Sequence, residues 1–198
     1  MQVDFSVELG VDDERMELPW ASPDGEVRYY DLKRNPELLL NVAEAFDNQE
    51  LGQFLASANS AGSILETIKC DSWFGEEITE EEKIFGEPCK FGSYVDLIFH
   101  QLEPRASLTA HEELAREACE LLKRVPPISC AAEFTIRHCY FHEPGRADSK
   151  QGFGITFYLF GYGADQEESR ARWNIGMKLV ENALLQISAS RRRAQRAG

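Results

Sequence analysis

Alternation of apolar and polar residues is the main pattern in the second half of this chain. Four runs carry an apolar side chain at every second position, with charged, hydroxyl-bearing or aromatic residues between, and they cover residues 64–74, 91–100, 132–142 and 153–162. A period of two is typical of β-strands that bury one face. The pattern therefore predicts four strands, each with an apolar face and a mixed polar face.

Apolar residues at helical spacing follow each pair of these runs. The two stripes are spaced by three and four residues, as expected for one side of an α-helix that packs on a sheet; they are Leu114, Ala118, Leu121 and Val125, and then Trp173, Met177, Val180, Leu184 and Ile187. The order of elements is thus ββα-ββα. It predicts an α+β fold with a mainly antiparallel sheet that helices cover on one face.

The first 60 residues predict a strand and helix extension of this body. Alternation indicates short strands at 3–9, 16–18 and 27–32, and Asn35 followed by Pro36 indicates the start of a helix. We expect one α+β domain over residues 1–190. Residues 191–198 contain Arg191, Arg192, Arg193 and Arg196, and we expect them to form a basic, disordered C-terminal tail.

Charge and hydropathy limit the partners of this protein. The formal net charge is −13 although four arginines lie in the last eight residues, so the body is strongly acidic and would repel nucleic acid. No apolar run has the length of about 18–20 residues that spans a bilayer, so we expect no membrane insertion. The N-terminus lacks the basic and apolar regions of a signal peptide, which predicts a cytoplasmic location.

The sequence contains no motif for a metal or a cofactor. Its five cysteines are scattered without a C-x-x-C pair, which indicates free thiols in the core. His138 and His142 are four positions apart, but in a strand they would lie about 13 Å apart, too far to share one metal ion. Phosphate-binding and nucleophile motifs are lacking as well. We therefore predict no metal site and no cofactor.

Parity along the strands selects the candidate binding residues. It places Thr67 with Lys69 and Asp71 on the polar side of the first strand, and the full set of candidates is Lys69, Asp71, Asp96, Arg137 and Tyr158. Three interpretations fit such a surface. It is a solvated sheet face with cross-strand charge pairs, a protein–protein interface, or a cleft for a small molecule.

The functional hypothesis is a binding or interaction protein that self-associates as a homodimer through the polar face or the last helix. The alternative is an enzyme that acts on a small polar or anionic molecule. In that case Arg137 would hold an anionic group, and Asp71 or Asp96 would act as a base. The enzyme hypothesis requires a concave pocket at these residues and a carboxyl group with a perturbed pKa.

Overall fold

The computed structural model describes residues 1–22, 24–26, 28–142 and 149–197, and within them it shows an α+β fold with one mixed, mostly antiparallel sheet. The strands are β1 (Gln2–Glu8), β2 (Met16–Leu18), β3 (Leu65–Gly75), β4 (Cys89–Phe99), β5 (Cys130–His142) and β6 (Ser149–Gly163). The α-helices are α1 (Ala43–Asp47), α2 (Gln49–Ala58), α3 (Leu102–Arg105), α4 (Leu108–Leu122) and α5 (Gln166–Ala197). Two 3₁₀ turns cover Pro36–Asn41 and Glu82–Phe85.

The strand order places β1 and β3 at the two ends of the sheet. The order is β1-β5-β6-β4-β3, with β2 paired to β5 beyond the end of β1. The pairs β3/β4, β4/β6 and β6/β5 are antiparallel, whereas β1 and β2 both run parallel to β5. The N-terminal strands therefore extend the main sheet, at the side formed by the second half of the chain.

One large buried cluster joins the apolar face of the sheet to the helices, and we call that side the core face. The strand residues in it include Val95, Leu97, Phe99, Phe134, Ile136, Ile155, Phe157 and Leu159, and the helix residues include Leu51, Phe54, Leu55, Leu114, Ala118, Trp173, Met177, Val180, Leu184 and Ile187. Helix α5 lies especially close to β6: a Cβ atom on Gly161 would be 2.3 Å from the backbone nitrogen of Trp173. The Trp173 indole donates a hydrogen bond of 2.9 Å to Ser93 in β4.

The opposite side of the sheet, which carries Lys69, Asp96 and Arg137, is the polar face. Strand β3 changes its register between Thr67 and Cys70, which is the signature of a β-bulge. The prediction that Thr67 shares a face with Lys69 is therefore wrong. The Thr67 hydroxyl accepts a hydrogen bond of 2.8 Å from Asn59, just after α2, while Ile68 turns to a satellite cluster on the polar face that contains Met16, Ile98 and Cys139.

The N-terminal extension differs from the prediction in its third strand and in its first helix. Of the residues described between 27 and 32, Arg28 forms only an isolated bridge with Ala21. The helix predicted from Asn35 is the 3₁₀ turn Pro36–Asn41, and the Asn35 side chain makes no capping bond. The strands predicted at 3–9 and 16–18 are present as β1 and β2.

Helix α5 begins at a capping box and continues past residue 190, where the sequence analysis placed the start of a tail. The Asp165 carboxylate accepts from the Glu168 amide at 2.8 Å, and Glu168 accepts from the Ala164 amide at 2.9 Å. Arg191 donates to Glu117 of α4 at 2.8 Å. The side chain of Arg196 lies outside the described residues. None of the described helices combines the length and the apolar character that crossing a bilayer requires.

Candidate functional site

A network of hydrogen bonds crosses the middle of the polar face from β4 through β6 to β5. The Thr156 hydroxyl donates to Asp96 at 2.7 Å, and one terminal nitrogen of Arg137 donates to Thr156 at 3.2 Å and to the Tyr158 hydroxyl at 3.1 Å. Thr156 therefore links Asp96 to Arg137, and Arg137 binds Tyr158 directly, so that three of the five candidate residues share one network. This contact depends on the register, in which Asp96 lies opposite Thr156.

The Arg137 side chain is also bound by two carboxylates from the N-terminal segment. Glu8 accepts from the guanidinium at 3.0 and 3.2 Å, and Glu14 accepts at 2.8 Å. Only 8% of Arg137 is exposed. A buried guanidinium is stable when all its donors are paired. Arg137 therefore uses its donors inside the protein, where it attaches the N-terminal segment to the sheet.

Asp96 is the carboxyl group of this network whose protonation is most perturbed. Burial raises the pKa of Asp96 from its ordinary value of 3.8 to about 6, against the opposing effects of the Thr156 hydrogen bond and the Lys69 charge. A carboxyl group with a pKa near neutrality is suited to proton transfer. Asp96 thus meets one requirement of the enzyme hypothesis.

The raised pKa of Asp96 predicts a specific pH dependence of stability. The folded state holds the Asp96 proton up to about pH 6, whereas the unfolded chain releases it near pH 4, so this residue stabilises the fold at low pH and loses that contribution as the pH rises. In urea unfolding at several pH values, Asp96→Asn should become more stable relative to the wild type as the pH rises from about 4 to about 7. The exposed control Asp12→Asn should show no such trend, and a constant difference for Asp96→Asn would contradict the assignment.

A cavity of about 550 Å³ lies at the outer edge of β3, and we call it the edge pocket. Its lining passes around this edge strand from one face of the sheet to the other. Residues on the polar side are Trp20, Arg28, Ile68, Lys69, Asp71 and Tyr94, and those that belong to the core cluster or pack against it are Tyr30, Leu32, Val42, Leu55 and Cys70. The volume is within the range of small-molecule sites, and the mixture of apolar walls with a few charged groups is typical of them.

Lys69 occupies the polar side of the edge pocket. Its ammonium group lies 4.7 Å from the centre of the Trp20 ring and 5.3 Å from that of Tyr94. Among the described residues no carboxylate lies within ion-pair distance of it, although the side chain is partly buried. Aromatic contacts stabilise such a cation only in part. Lys69 can therefore still bind an anionic group.

Cysteine and histidine chemistry does not match a catalytic or metal centre. Burial raises the pKa of the Cys70 thiol to about 12, so this thiol remains protonated at neutral pH. His138 and His142 lie in β5 and have separate partners, Gln151 at 2.9 Å and Glu17 at 4.0 Å. Within the described part of the chain, no group of three or more His, Cys, Asp or Glu side chains could hold a metal ion.

Neither protein-family models, nor curated proteins, nor solved structures gave a match to this chain.

The candidate residues are divided between the two features described above. Asp96, Arg137 and Tyr158 belong to the network, Lys69 and Asp71 line the edge pocket, and Lys69 acts electrostatically on Asp96. Sequence reasoning did not find the residues of the N-terminal segment, namely Glu8, Glu14, Trp20 and Arg28. One signal was present: an arginine on the face of a central strand requires an acidic partner, which indicates that another segment crosses there.

Proposed function

We propose that this protein binds a small polar molecule in the edge pocket and that Lys69 is its main contact with an anionic group. The observation that carries the proposal is the partly buried, unpaired ammonium group of Lys69 in a cavity of ligand size. The other lysines with limited exposure are satisfied within the protein. Lys33 donates to three backbone carbonyls, and Lys90 pairs with Glu82 at 2.8 Å.

We further propose that the body consists of two ββα units whose described helices cover the core face, so that ligands approach from the polar face and from the β3 edge. The helix residues of the large cluster support this arrangement. The polar face is partly closed by the N-terminal segment, because Trp20 packs against the satellite cluster. This segment forms the outer wall of the edge pocket.

Binding is favoured over catalysis because of the positions of the three charged candidates. The enzyme hypothesis requires Asp71, Asp96 and Arg137 in one cleft, but only Asp71 lines the edge pocket. The donors of Arg137 are used by Glu8, Glu14, Thr156 and Tyr158. Catalysis remains the second candidate because Asp96, with its raised pKa, is close enough to be influenced by Lys69.

Self-association through the polar face also remains a prediction. An aromatic group supports it: the Trp73 ring packs 6.1 Å from Phe160 and 6.4 Å from Tyr94, and Trp73 is 36% exposed. Aromatic residues of this kind are enriched at protein interfaces. The molar mass in solution, measured by light scattering, would show whether the protein is a monomer or a dimer.

Substitution of Lys69 tests the proposed function directly. A ligand screen by amide NMR with small carboxylates and phosphates at millimolar concentration should shift the resonances of residues 67–71. Lys69→Met keeps an unbranched side chain against the Trp20 ring and removes the charge, so it should weaken an anionic ligand about tenfold or more.

The matched control for this experiment is Lys123→Met, because Lys123 is an exposed lysine at the end of α4. The control should bind as the wild type does. A ligand that binds equally well to Lys69→Met, or shifts only resonances remote from β3, would contradict the proposal.

A further inference from the structure

The charged side chains that line the edge pocket carry both signs of charge, which points to one class of ligand. Two cations, Lys69 and Arg28, line the cavity together with three carboxylates, Asp71, Glu44 and Glu26. Within the described residues, none of these five side chains forms an ion pair with another residue. A cavity that holds unpaired charges of both signs is complementary to a molecule that carries both.

We propose that the edge pocket binds a zwitterionic molecule of the amino-acid type with an apolar side chain. This inference rests on the proposed function and specifies its ligand. The carboxylate of the ligand pairs with Lys69, and its ammonium group pairs with Asp71 and Glu44. Both of these carboxylates line the cavity beside Cys70, and their charges act on its thiol.

Ligands with a single charge fit this arrangement less well. A simple anion would gain the attraction of Lys69 but would also face the carboxylates of Asp71 and Glu44 in the same cavity. A simple cation would gain those carboxylates and face Lys69. Only a molecule with both charges on neighbouring atoms pairs with each group and avoids repulsion from the other.

The apolar side of the edge pocket provides a place for the ligand side chain. Leu32 and Leu55 are buried at 5% and 1% exposure, and they line the cavity together with Val42 and Cys70. Burial of an aliphatic group against these walls removes its apolar surface from water and so strengthens binding. Strand β3 lies at one edge of the sheet, so backbone groups on its outer side have no neighbouring strand to pair with. The Thr67 amide is bound by Asn59, and the groups beyond it along the cavity are placed to bind the polar part of the ligand.

Four probes that differ by one group each test this inference. They are L-leucine, isocaproate (leucine without its amino group), isoamylamine (leucine without its carboxylate) and glycine (no side chain), and binding is measured from amide NMR shifts of residues 67–71. Leucine should bind about tenfold tighter than each of the other three. Lys69→Met and Asp71→Asn should each weaken leucine about tenfold, whereas the exposed controls Lys123→Met and Asp12→Asn should not.

The outcomes separate this inference from the proposed function. If isocaproate binds as tightly as leucine and only Lys69→Met weakens leucine binding, the ligand does not need an ammonium group. The zwitterion hypothesis is then wrong, while the proposal that Lys69 binds an anionic group stands. If glycine binds as tightly as leucine, the hypothesis that the ligand carries an apolar side chain is wrong. If none of the probes shifts the resonances of β3 in the correctly folded protein, this inference is overturned, and failure of the wider screen would then overturn the proposed function as well.

Discussion

Gly161→Ala should destabilise the protein by about 3 kcal/mol or more. A Cβ atom at this position would lie 2.3 Å from the Trp173 nitrogen, 2.4 Å from the Ser169 carbonyl oxygen and 2.7 Å from the Trp173 Cα. All three are backbone atoms of helix α5, so no side-chain rotation can relieve the overlap. Helix α5 would have to move away from β6 and open the core around Trp173.

Gly75→Ala is the matched control for Gly161→Ala. Gly75 also lies in a strand, but a Cβ atom there would meet no atom within 4 Å. Its effect on the free energy of urea unfolding should be within about 1 kcal/mol, because alanine meets no atom in the folded state and restricts the unfolded chain. Equal effects of the two substitutions would show that the close approach of α5 to β6 does not determine stability.

Arg137→Met should lower the free energy of unfolding by about 2–3 kcal/mol. The substitution removes five hydrogen bonds to Glu8, Glu14, Thr156 and Tyr158. The loss falls at the lower end of that expected for a buried ion pair, because the Glu8 and Glu14 side chains are 41% and 69% exposed and regain water. Urea unfolding measures this change.

Two further variants separate the Arg137 network from the effect of charge alone. Glu14→Gln removes a single exposed partner and should cost less than about 1 kcal/mol. Arg116→Met removes an exposed arginine of α4 and should change stability by about 0.5 kcal/mol at most. An unchanged stability of Arg137→Met, or an equal loss in Arg116→Met, would contradict the role of Arg137 as an attachment point.

Sequence periodicity predicted the sheet well where the strand ladders are regular. In β4, β5 and β6 the period of two is uninterrupted, so Val95, Ile136 and Phe157 lie on the core face as expected. In β3 the bulge inserts one residue into the alternation and turns Thr67 to the opposite face. A bulge cannot be recognised from alternation alone, because it depends on the partner strand.

The candidate site was predictable only as far as it lies on those regular strands. Parity assigned Asp96, Arg137 and Tyr158 to one face, and the structure links Asp96 to Arg137 through Thr156 and Arg137 directly to Tyr158. The edge pocket was not predictable, because its outer wall contains Trp20, from a stretch without a periodic pattern, and Arg28, whose predicted strand is only an isolated bridge. Their position follows from the pairing of β2 with β5, which joins residues far apart in the sequence.

The parallel pairing of β1 and β2 with β5 has a consequence for the order of folding. Gln2 lies opposite Ala131 and Met16 lies opposite Cys139. Both N-terminal strands therefore pair with β5, which is synthesised after every other strand of this sheet except β6. Contacts of such high sequence separation form slowly, since a long loop must close first. We therefore expect the segment that carries Trp20 to dock only after β5 is in place, so that the edge pocket forms late in folding.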